Sequence, residues 1–448
     1  MKKSKWIVVF ILWMISSASY AQIPESLQVL TLDEAIRSAL ARNHNIQVAR
    51  YDAQISENNA TLGNAGLLPS LGLEGSYTRS VRDVQTSFIN PQIDDINRQN
   101  AESSTLNGAV FLNYNIFNGL GSYYQFTSLQ NLSRIGDIQA RLTIENTLLQ
   151  AMIQYLEAAR LQELLDINRE AVEISRERYE RVNVKYEFGT ITKLEVLNAR
   201  VDLNADSTLY LGTMADYANA LRDLSLLIGR EPTATFQVQE DFALNKDLQL
   251  EPLLAEALAV NSNLLLAEYL RQDANLNVKL ARSGYYPRLD LNAAYNYNRV
   301  EDEASFLNLS KTEGFSGTIT LSYNLFNGFQ QRTRVENARV SLAASAESLE
   351  LAAEQVRRDV RNAYENYRNN LYLLQLAQDD LQTAELNFER SQEAYATGQI
   401  NSTELRTAQL NLINSQNRIN NLRIRTKGSE IELYRLSGRL IMEQEAKR

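Results

Sequence analysis

Phe315-Ser316-Gly317-Thr318-Ile319-Thr320-Leu321-Ser322-Tyr323 places an apolar or small residue at every odd position and a hydroxyl at every even one. Period-two alternation marks a strand with one apolar and one polar face. Three more segments share it. Residues 71–80 set Leu71, Leu73, Gly75 and Tyr77 against Gly72, Glu74, Ser76 and Thr78. Residues 105–117 set Leu106, Val110, Leu112, Tyr114 and Ile116 against Asn107, Ala109, Asn113 and Asn115. Residues 289–299 set Leu289, Leu291, Ala293, Tyr295 and Tyr297 against Asp290, Asn292, Asn296 and Asn298. The fourth strand is expected over residues 315–326. A soluble sandwich buries such apolar faces against a second sheet, but it needs about seven strands. In a transmembrane barrel the apolar faces meet lipid and the Asn, Ser and Thr faces meet water. Four strands cannot close, and an open edge in hydrocarbon leaves backbone groups unsatisfied. The pattern predicts an oligomer that completes the barrel, with eight strands in a dimer or twelve in a trimer.

The strands come in two pairs because the chain is duplicated. Tyr114-Asn115-Ile116-Phe117-Asn118-Gly119 returns as Tyr323-Asn324-Leu325-Phe326-Asn327-Gly328. Tyr186-x-x-Gly189-x-Ile191 returns as Tyr395-x-x-Gly398-x-Ile400, and Ala39-Leu40-Ala41-x-Asn43-x-Asn45 as Ala257-Leu258-Ala259-x-Asn261-x-Asn263. The offset shortens by nine residues between the strands of each pair, across residues 81–104 and 300–312. Such a length change marks a loop. Residues 22–230 form the first repeat, 231–251 a linker and 252–448 the second repeat.

The remainder reads as helix. Thr31 and Glu34 fit a capping box that opens a helix running towards Gly66, which Pro69 stops. No proline interrupts residues 119–188, where Leu142, Leu149, Met152, Leu156 and Ala159 step at coiled-coil spacing. A helix of about 70 residues spans on the order of 105 Å. Gly189 breaks it, and residues 190–228 return. Residues 328–397 and 399–437 repeat the arrangement. The expected fold class is mostly α with a small transmembrane β part, built as a two-fold internal repeat with long antiparallel helices.

Lys2, Lys3 and Lys5 precede the apolar run from Trp6 to Ile15 and a small-residue stretch ending at Ala21. Residues 1–21 fit a cleaved signal peptide, too short to span a bilayer. No later run reads as a transmembrane helix. A Gram-negative periplasm or outer membrane is the expected destination. The chain has no cysteine, which excludes a disulfide framework, a zinc-thiolate site and a lipidated N-terminal cysteine. Its single histidine, His44, lies between Asn43 and Asn45 with no ligand cluster. A net charge of −9, more negative once the leader lysines are gone, argues against a nucleic-acid partner. No catalytic constellation is visible, so neither an enzyme nor a cofactor is expected.

The two-fold repeat, the Gly66/Pro69 and Gly284/Pro287 breaks, the Phe-Asn-Gly exits and the Tyr-x-x-Gly turns together resemble the TolC-like outer-membrane efflux family. The likeness covers essentially the whole mature chain. It departs at Asn115 and Asn324, where members often carry proline, and at Leu120 and Phe329, where they often carry a second glycine. The resemblance implies a homotrimer with a twelve-stranded outer-membrane barrel, a periplasmic α-barrel and an equatorial collar from residues 22–31, 231–251 and the C-terminus. It implies a passive exit duct for efflux or type I secretion. Its partners would be outer-membrane lipid, a periplasmic adaptor (membrane fusion) protein and an inner-membrane pump of RND or ABC type. The low mean hydropathy of −0.33 also suits a soluble periplasmic coiled-coil scaffold or adaptor.

The turns at Gly189, Thr190 and Ile191 and at Gly398, Gln399 and Ile400 read as glycine C-caps. The resemblance implies that they are the periplasmic tips contacting the adaptor. Glu195 and Glu404 stand where family members place a pore-constriction carboxylate. Three copies of one carboxylate around an axis favour cations. Asn198 and Thr407, three residues on, do not reproduce the second carboxylate. Arg178, Arg181, Lys185 and Arg390 are candidate latches that would pair with these carboxylates and hold the tip shut.

Overall fold

The computed structural model describes residues 29–440 apart from 90, 91, 93, 234, 235 and 306; the expected signal peptide lies outside the described residues. The first half contains β1 (Val29–Leu30), α1 (Leu32–Arg42), α2 (His44–Asn59), β2 (Ser70–Thr86), β3 (Ile96–Phe117), α3 (Gly121–Glu187) and α4 (Lys193–Leu227). After β4 (Gln237–Val238) come α5 (Leu250–Val260), α6 (Ser262–Ser283), β5 (Arg288–Asp302), β6 (Leu309–Ser322), α7 (Gln330–Ala396) and α8 (Ser402–Leu436). Helices α3 and α7 have 67 residues each, and α4 and α8 have 35 each.

The single helix expected up to Gly66 is two. Thr31 and Glu34 form the capping box of α1, with Glu34 N–H donating to Thr31 Oγ1 at 3.2 Å and Thr31 N–H to the Glu34 carboxylate at 3.1 Å. Asn43 then leaves helical geometry at ψ 128° and caps α2 by accepting from the N–H groups of Asn45 and Ile46. Asn261 caps α6 in the same way through Asn263 and Leu264. The repeated Asn-x-Asn signature is therefore a helix-to-helix joint, set by a side chain that competes for the backbone.

One 18-residue window within Leu250–Ser283 is as apolar as a membrane-crossing helix, contrary to the expectation that none is. Asn261 interrupts it, and Leu253, Leu254 and Ala257 pack with Val356, Val360, Tyr367 and Leu433 in a core. That part of its apolarity fills the protein interior.

Strands β2-β3-β5-β6 form one antiparallel sheet in that order. The register aligns whole rows. Leu73, Val110, Tyr295 and Phe315 lie side by side across all four strands. Three residues along, on the other face, the row is Ser76, Asn107, Asn298 and Thr312, where Asn298 Nδ2 donates to Asn107 Oδ1 at 2.6 Å and Asn107 Nδ2 to Ser76 Oγ at 3.3 Å. Leu73 is 82% and Phe315 75% exposed, so nothing among the described residues covers these positions of the apolar face.

The strand limits differ from the sequence expectation at both ends. Residues 81–104 and 300–312, expected as loops, are largely paired, and the connecting stretches shrink to 87–95 and 303–308. Cross-strand ion pairs, Arg79 to Glu102 and Arg82 to Asp302 at 2.5 Å each, join these polar strand ends. At the other end β6 stops at Ser322, so Tyr323 to Phe326 stand outside the sheet. Ser322 pairs with Arg288, and the next partner for Tyr323 would be Pro287, which has no N–H to offer.

The described residues group into two compact units, each drawing on both halves of the chain. One comprises residues 29–41, Ala151–Ala243 and Leu376–Ile424; the other comprises Arg42–Gln150, Leu244–Gln375 and residues 425–440. In the first, β1 pairs in parallel with β4, and the buried Tyr155 hydroxyl donates to Leu30 O at 2.7 Å and accepts from Gln239 N–H at 3.0 Å. The second contains the sheet.

Candidate functional site at the helical turns

The two Tyr-x-x-Gly turns are Schellman motifs. Gly189 sits at φ +71°, with its N–H on Tyr186 O and the Thr190 N–H on Lys185 O. Gly398 sits at φ +78°, with its N–H on Tyr395 O and the Gln399 N–H on Ala394 O. Only glycine adopts this left-handed geometry without a Cβ penalty. Gly189, Thr190, Gly398 and Gln399 are exposed, whereas Ile191 and Ile400 are half-buried. Ile400 packs on a cluster of Phe388, Tyr395, Leu405, Ala408 and Leu412.

Glu195 and Glu404 hold the same position, the third residue of a returning helix, but their carboxylates differ. Glu404 is bound in a capping box: its carboxylate accepts from Asn401 N–H at 2.9 Å, and its own N–H donates to Asn401 Oδ1 at 2.9 Å. Thr192 makes no side-chain cap to α4, and among the described residues the half-buried Glu195 carboxylate has no hydrogen-bond or ion-pair partner.

None of the four candidate latches meets either glutamate. Arg178 is buried and binds Asp202 at 2.5 Å. Arg181 pairs with Glu177 at 3.5 Å and Arg390 with Glu393 at 3.0 Å, both exposed pairs within one helix. The Lys185 ammonium lies 4.5 Å from the centroid of the Tyr395 ring, a cation–π contact. Arg181 and Arg390 are taken by carboxylates one turn along their own helices, whereas Arg178 reaches Asp202 of α4 and Lys185 the Tyr395 ring of α7.

The charge cluster of this unit lies deeper. Arg406 of α8 grips Asp206 of α4 with two 2.7 Å bonds. Asp206 also accepts from the Ser175 hydroxyl of α3. Arg406 donates to Gln409 at 3.0 Å, and Gln409 reaches back to Ala171 O at 3.3 Å. With Arg178 and Asp202 beside it, this buried network ties α3, α4 and α8 together. The Nε atoms of Arg178 and Arg406 are buried without a hydrogen-bond partner. Asp206, Asp202 and Arg406 were missed in the sequence because each looks like an ordinary helix charge. A usable signal existed: Ala199, Asp206, Thr213 and Ala220 recur every seven residues on α4 and are all buried, so Asp206 is a charge on a core seam.

Nearer the β1–β4 ladder, Gln162 accepts from Val238 N–H at 3.2 Å and the Tyr217 hydroxyl at 2.6 Å. Burial pushes the Tyr217 hydroxyl up to about 12. Burial also raises the Glu163 carboxyl, against the opposing pull of Arg423 at 2.6 Å. Residues 22–28 and 441–448, expected in the same collar, lie outside the described residues.

A sequence model of the outer membrane efflux protein family matches residues 35–230 and 253–439. Outer membrane protein TolC of Vibrio cholerae is 22% identical over 386 residues, covering 85% of this chain and 84% of that protein. The solvent efflux pump outer membrane protein SrpC of Pseudomonas putida is 26% identical over 262 residues, covering 56% of this chain and 53% of its own length. The crystal structure of the Campylobacter jejuni CmeC outer membrane channel superposes with a TM-score of 0.76 at 17% identity, covering 92% of this chain and 89% of that one. With both halves of the sequence matched and the fold shared, the chain belongs to the outer membrane efflux protein family, and its place is the outer membrane.

Proposed function

We propose that three copies of the chain close a twelve-stranded outer-membrane barrel and form a passive exit duct for small molecules leaving the periplasm. The observation that carries this reading is the sheet itself. Its apolar face is exposed, and β2 and β6 each have a partner strand on one side only among the described residues. In hydrocarbon both edges must be paired, and a head-to-tail ring of copies joins β6 of one to β2 of the next. The Asn, Ser and Thr rows then line a wet lumen. The mass of the detergent-solubilised protein tests this. Three chains per particle, with conductance in planar bilayers, is the expected result; a monomer that leaves the membrane without detergent overturns it.

The turns at Gly189–Ile191 and Gly398–Ile400 are the adaptor-facing tips in this reading, and the adaptor connects the duct to an RND or ABC pump. A cleft of about 170 Å³ lined by Ile174, Glu177, Arg181, Tyr395 and Leu405 lies beside them, sized for a single side chain. Glu195 and Glu404 supply the negative charge of the constriction. The Arg406–Asp206 and Arg178–Asp202 network, which keeps Arg178 of the four candidates, takes the place of Arg181, Lys185 and Arg390 as the device that fixes the tip helices.

A further inference from the structure

At the sheet-proximal ends of α6 and α7 four cations stand without acidic partners. Lys279, Arg282, Arg332 and Arg334 are all exposed, and among the described residues none of their side chains forms a hydrogen bond or ion pair. The nearby carboxylates are already engaged. Asp290 holds Arg288 at 2.7 Å, Glu336 holds Arg339 at 3.4 Å, and Asp273 accepts from Ser128 at 2.7 Å. The four share one level along the helices, because Gln331 of α7 donates to Ala281 O of α6. Gln331 and Val335 form the buried stripe of α7, so Arg332 and Arg334 flank it on opposite sides.

The duplication supplies a control within the chain. The matching positions of the first repeat are Thr61, Asn64, Tyr123 and Gln125, all uncharged. The fold therefore does not need cations there. Immediately beyond them lies a group of exposed aromatics, Tyr285, Tyr286, Tyr323, Phe326 and Phe329, with Phe326 and Phe329 in edge-to-face contact at 5.3 Å. An open cleft of about 1010 Å³ runs between Ser283, Tyr286, Arg288, Tyr323 and Phe326. Aromatics followed by unpaired cations mark the passage from hydrocarbon to headgroup.

We propose that this end of the second repeat binds anionic phospholipids of the periplasmic leaflet. Lys279, Arg282, Arg332 and Arg334 hold the headgroup phosphates, and the aromatic cleft holds the first carbons of the acyl chains. The inference rests on the proposed orientation, with the helices on the periplasmic side. The charge complementarity favours an acidic lipid, since the four cations have no counter-ion among the described residues.

The test exchanges the four residues for their first-repeat counterparts, Lys279→Thr, Arg282→Asn, Arg332→Tyr and Arg334→Gln. Arg282→Lys with Arg332→Lys and Arg334→Lys serves as the charge-retaining control. Lipid retained from vesicles of phosphatidylethanolamine with and without phosphatidylglycerol is counted by native mass spectrometry. At about fivefold per basic residue at an anionic surface, preference for phosphatidylglycerol should fall at least about tenfold in the exchanged protein and persist in the lysine variant. Ion selectivity in planar bilayers should be unchanged. An undiminished preference overturns the site, as does a shift towards cation selectivity with lipid retention intact, which would place the charges in the lumen. A phosphatidylglycerol preference that the unaltered protein shows and the exchanged protein loses, with no ion conductance in either, would overturn the duct and leave the lipid site standing.

Discussion

Leu120 and Phe329 have φ of +65° and +66°, directly after Gly119 at +68° and Gly328 at +63°. These are the two positions where the family resemblance leads one to expect a second glycine, and the left-handed backbone is the conformation that glycine adopts most easily. A side chain in the left-handed region costs about 1–2 kcal/mol. Leu120→Gly should therefore raise the thermal midpoint in detergent, and Phe329→Gly should gain less because it also loses the contact with Phe326. A lower midpoint for Leu120→Gly would contradict the strain. The cap that Glu404 makes and the constriction charge proposed for it separate cleanly. Glutamine keeps a capping box and removes the charge, so Glu404→Gln should lower cation preference in bilayers at little stability cost. Glu404→Ala should lose about 1 kcal/mol besides. Glu195→Gln should change selectivity alone. Unchanged selectivity in both glutamine variants would remove the constriction from these residues. A local cap can be read from four consecutive letters, as at Thr31. Asn401-Ser402-Thr403-Glu404 carries the same signal, but its glutamate was interpreted as pore lining only. The latch pairing does not form because Arg181 and Arg390 find carboxylates one turn along their own helices, Arg178 finds Asp202 and Lys185 the Tyr395 ring.

At the scale of elements, the strands were visible because one face is apolar and the other is not, and period two survives in the sequence whatever the sheet's surroundings. The row Leu73, Val110, Tyr295 and Phe315 confirms the facing of every strand. Their ends were not visible. The outer pairs set polar against apolar residues, as in Val81–Glu102 and Glu301–Leu309, so alternation stops carrying information while backbone pairing continues. The helix joints at Asn43 and Asn261 were quoted as repeat markers without their capping role being seen. The faces make a sharp prediction. Phe315→Lys puts a charge into lipid and should cost about 2–4 kcal/mol near the bilayer midplane, abolishing assembly in the outer membrane. Thr318→Lys, on the opposite face, should assemble and shift conductance. Equal assembly of both variants, scored by heat-modifiable gel mobility, would reverse the assignment.

At the scale of the molecule, the duplication does not produce two domains. Each compact unit takes segments from both repeats, and the buried network of Ser175, Asp202, Asp206 and Arg406 crosses from the first repeat to the second within one of them. No local pattern links Asp206 to Arg406, which lie 200 residues apart, so the pairing was beyond a reading of one sequence. Removing one partner from a buried pair strands the other charge and costs about 3–5 kcal/mol. Asp206→Ala should lower stability by that order and loosen α8. Asp206→Ala with Arg406→Leu should recover most of the loss. A double variant as unstable as the single would show that the pair is not the source.

The ion pairs at the far end of the sheet have an environmental consequence. Arg79–Glu102 and Lys311–Glu313 are about half exposed, and in the proposed orientation they form the rim outside the cell. Their attraction is screened over about 8 Å at physiological ionic strength and about 3 Å at 1 M. The rows nearer the helices depend instead on lipid and backbone pairing, which salt hardly touches. Brine should therefore speed amide exchange in residues 96–104 while leaving residues 106–116 as they were. The salinity of the habitat reaches this duct only at its mouth.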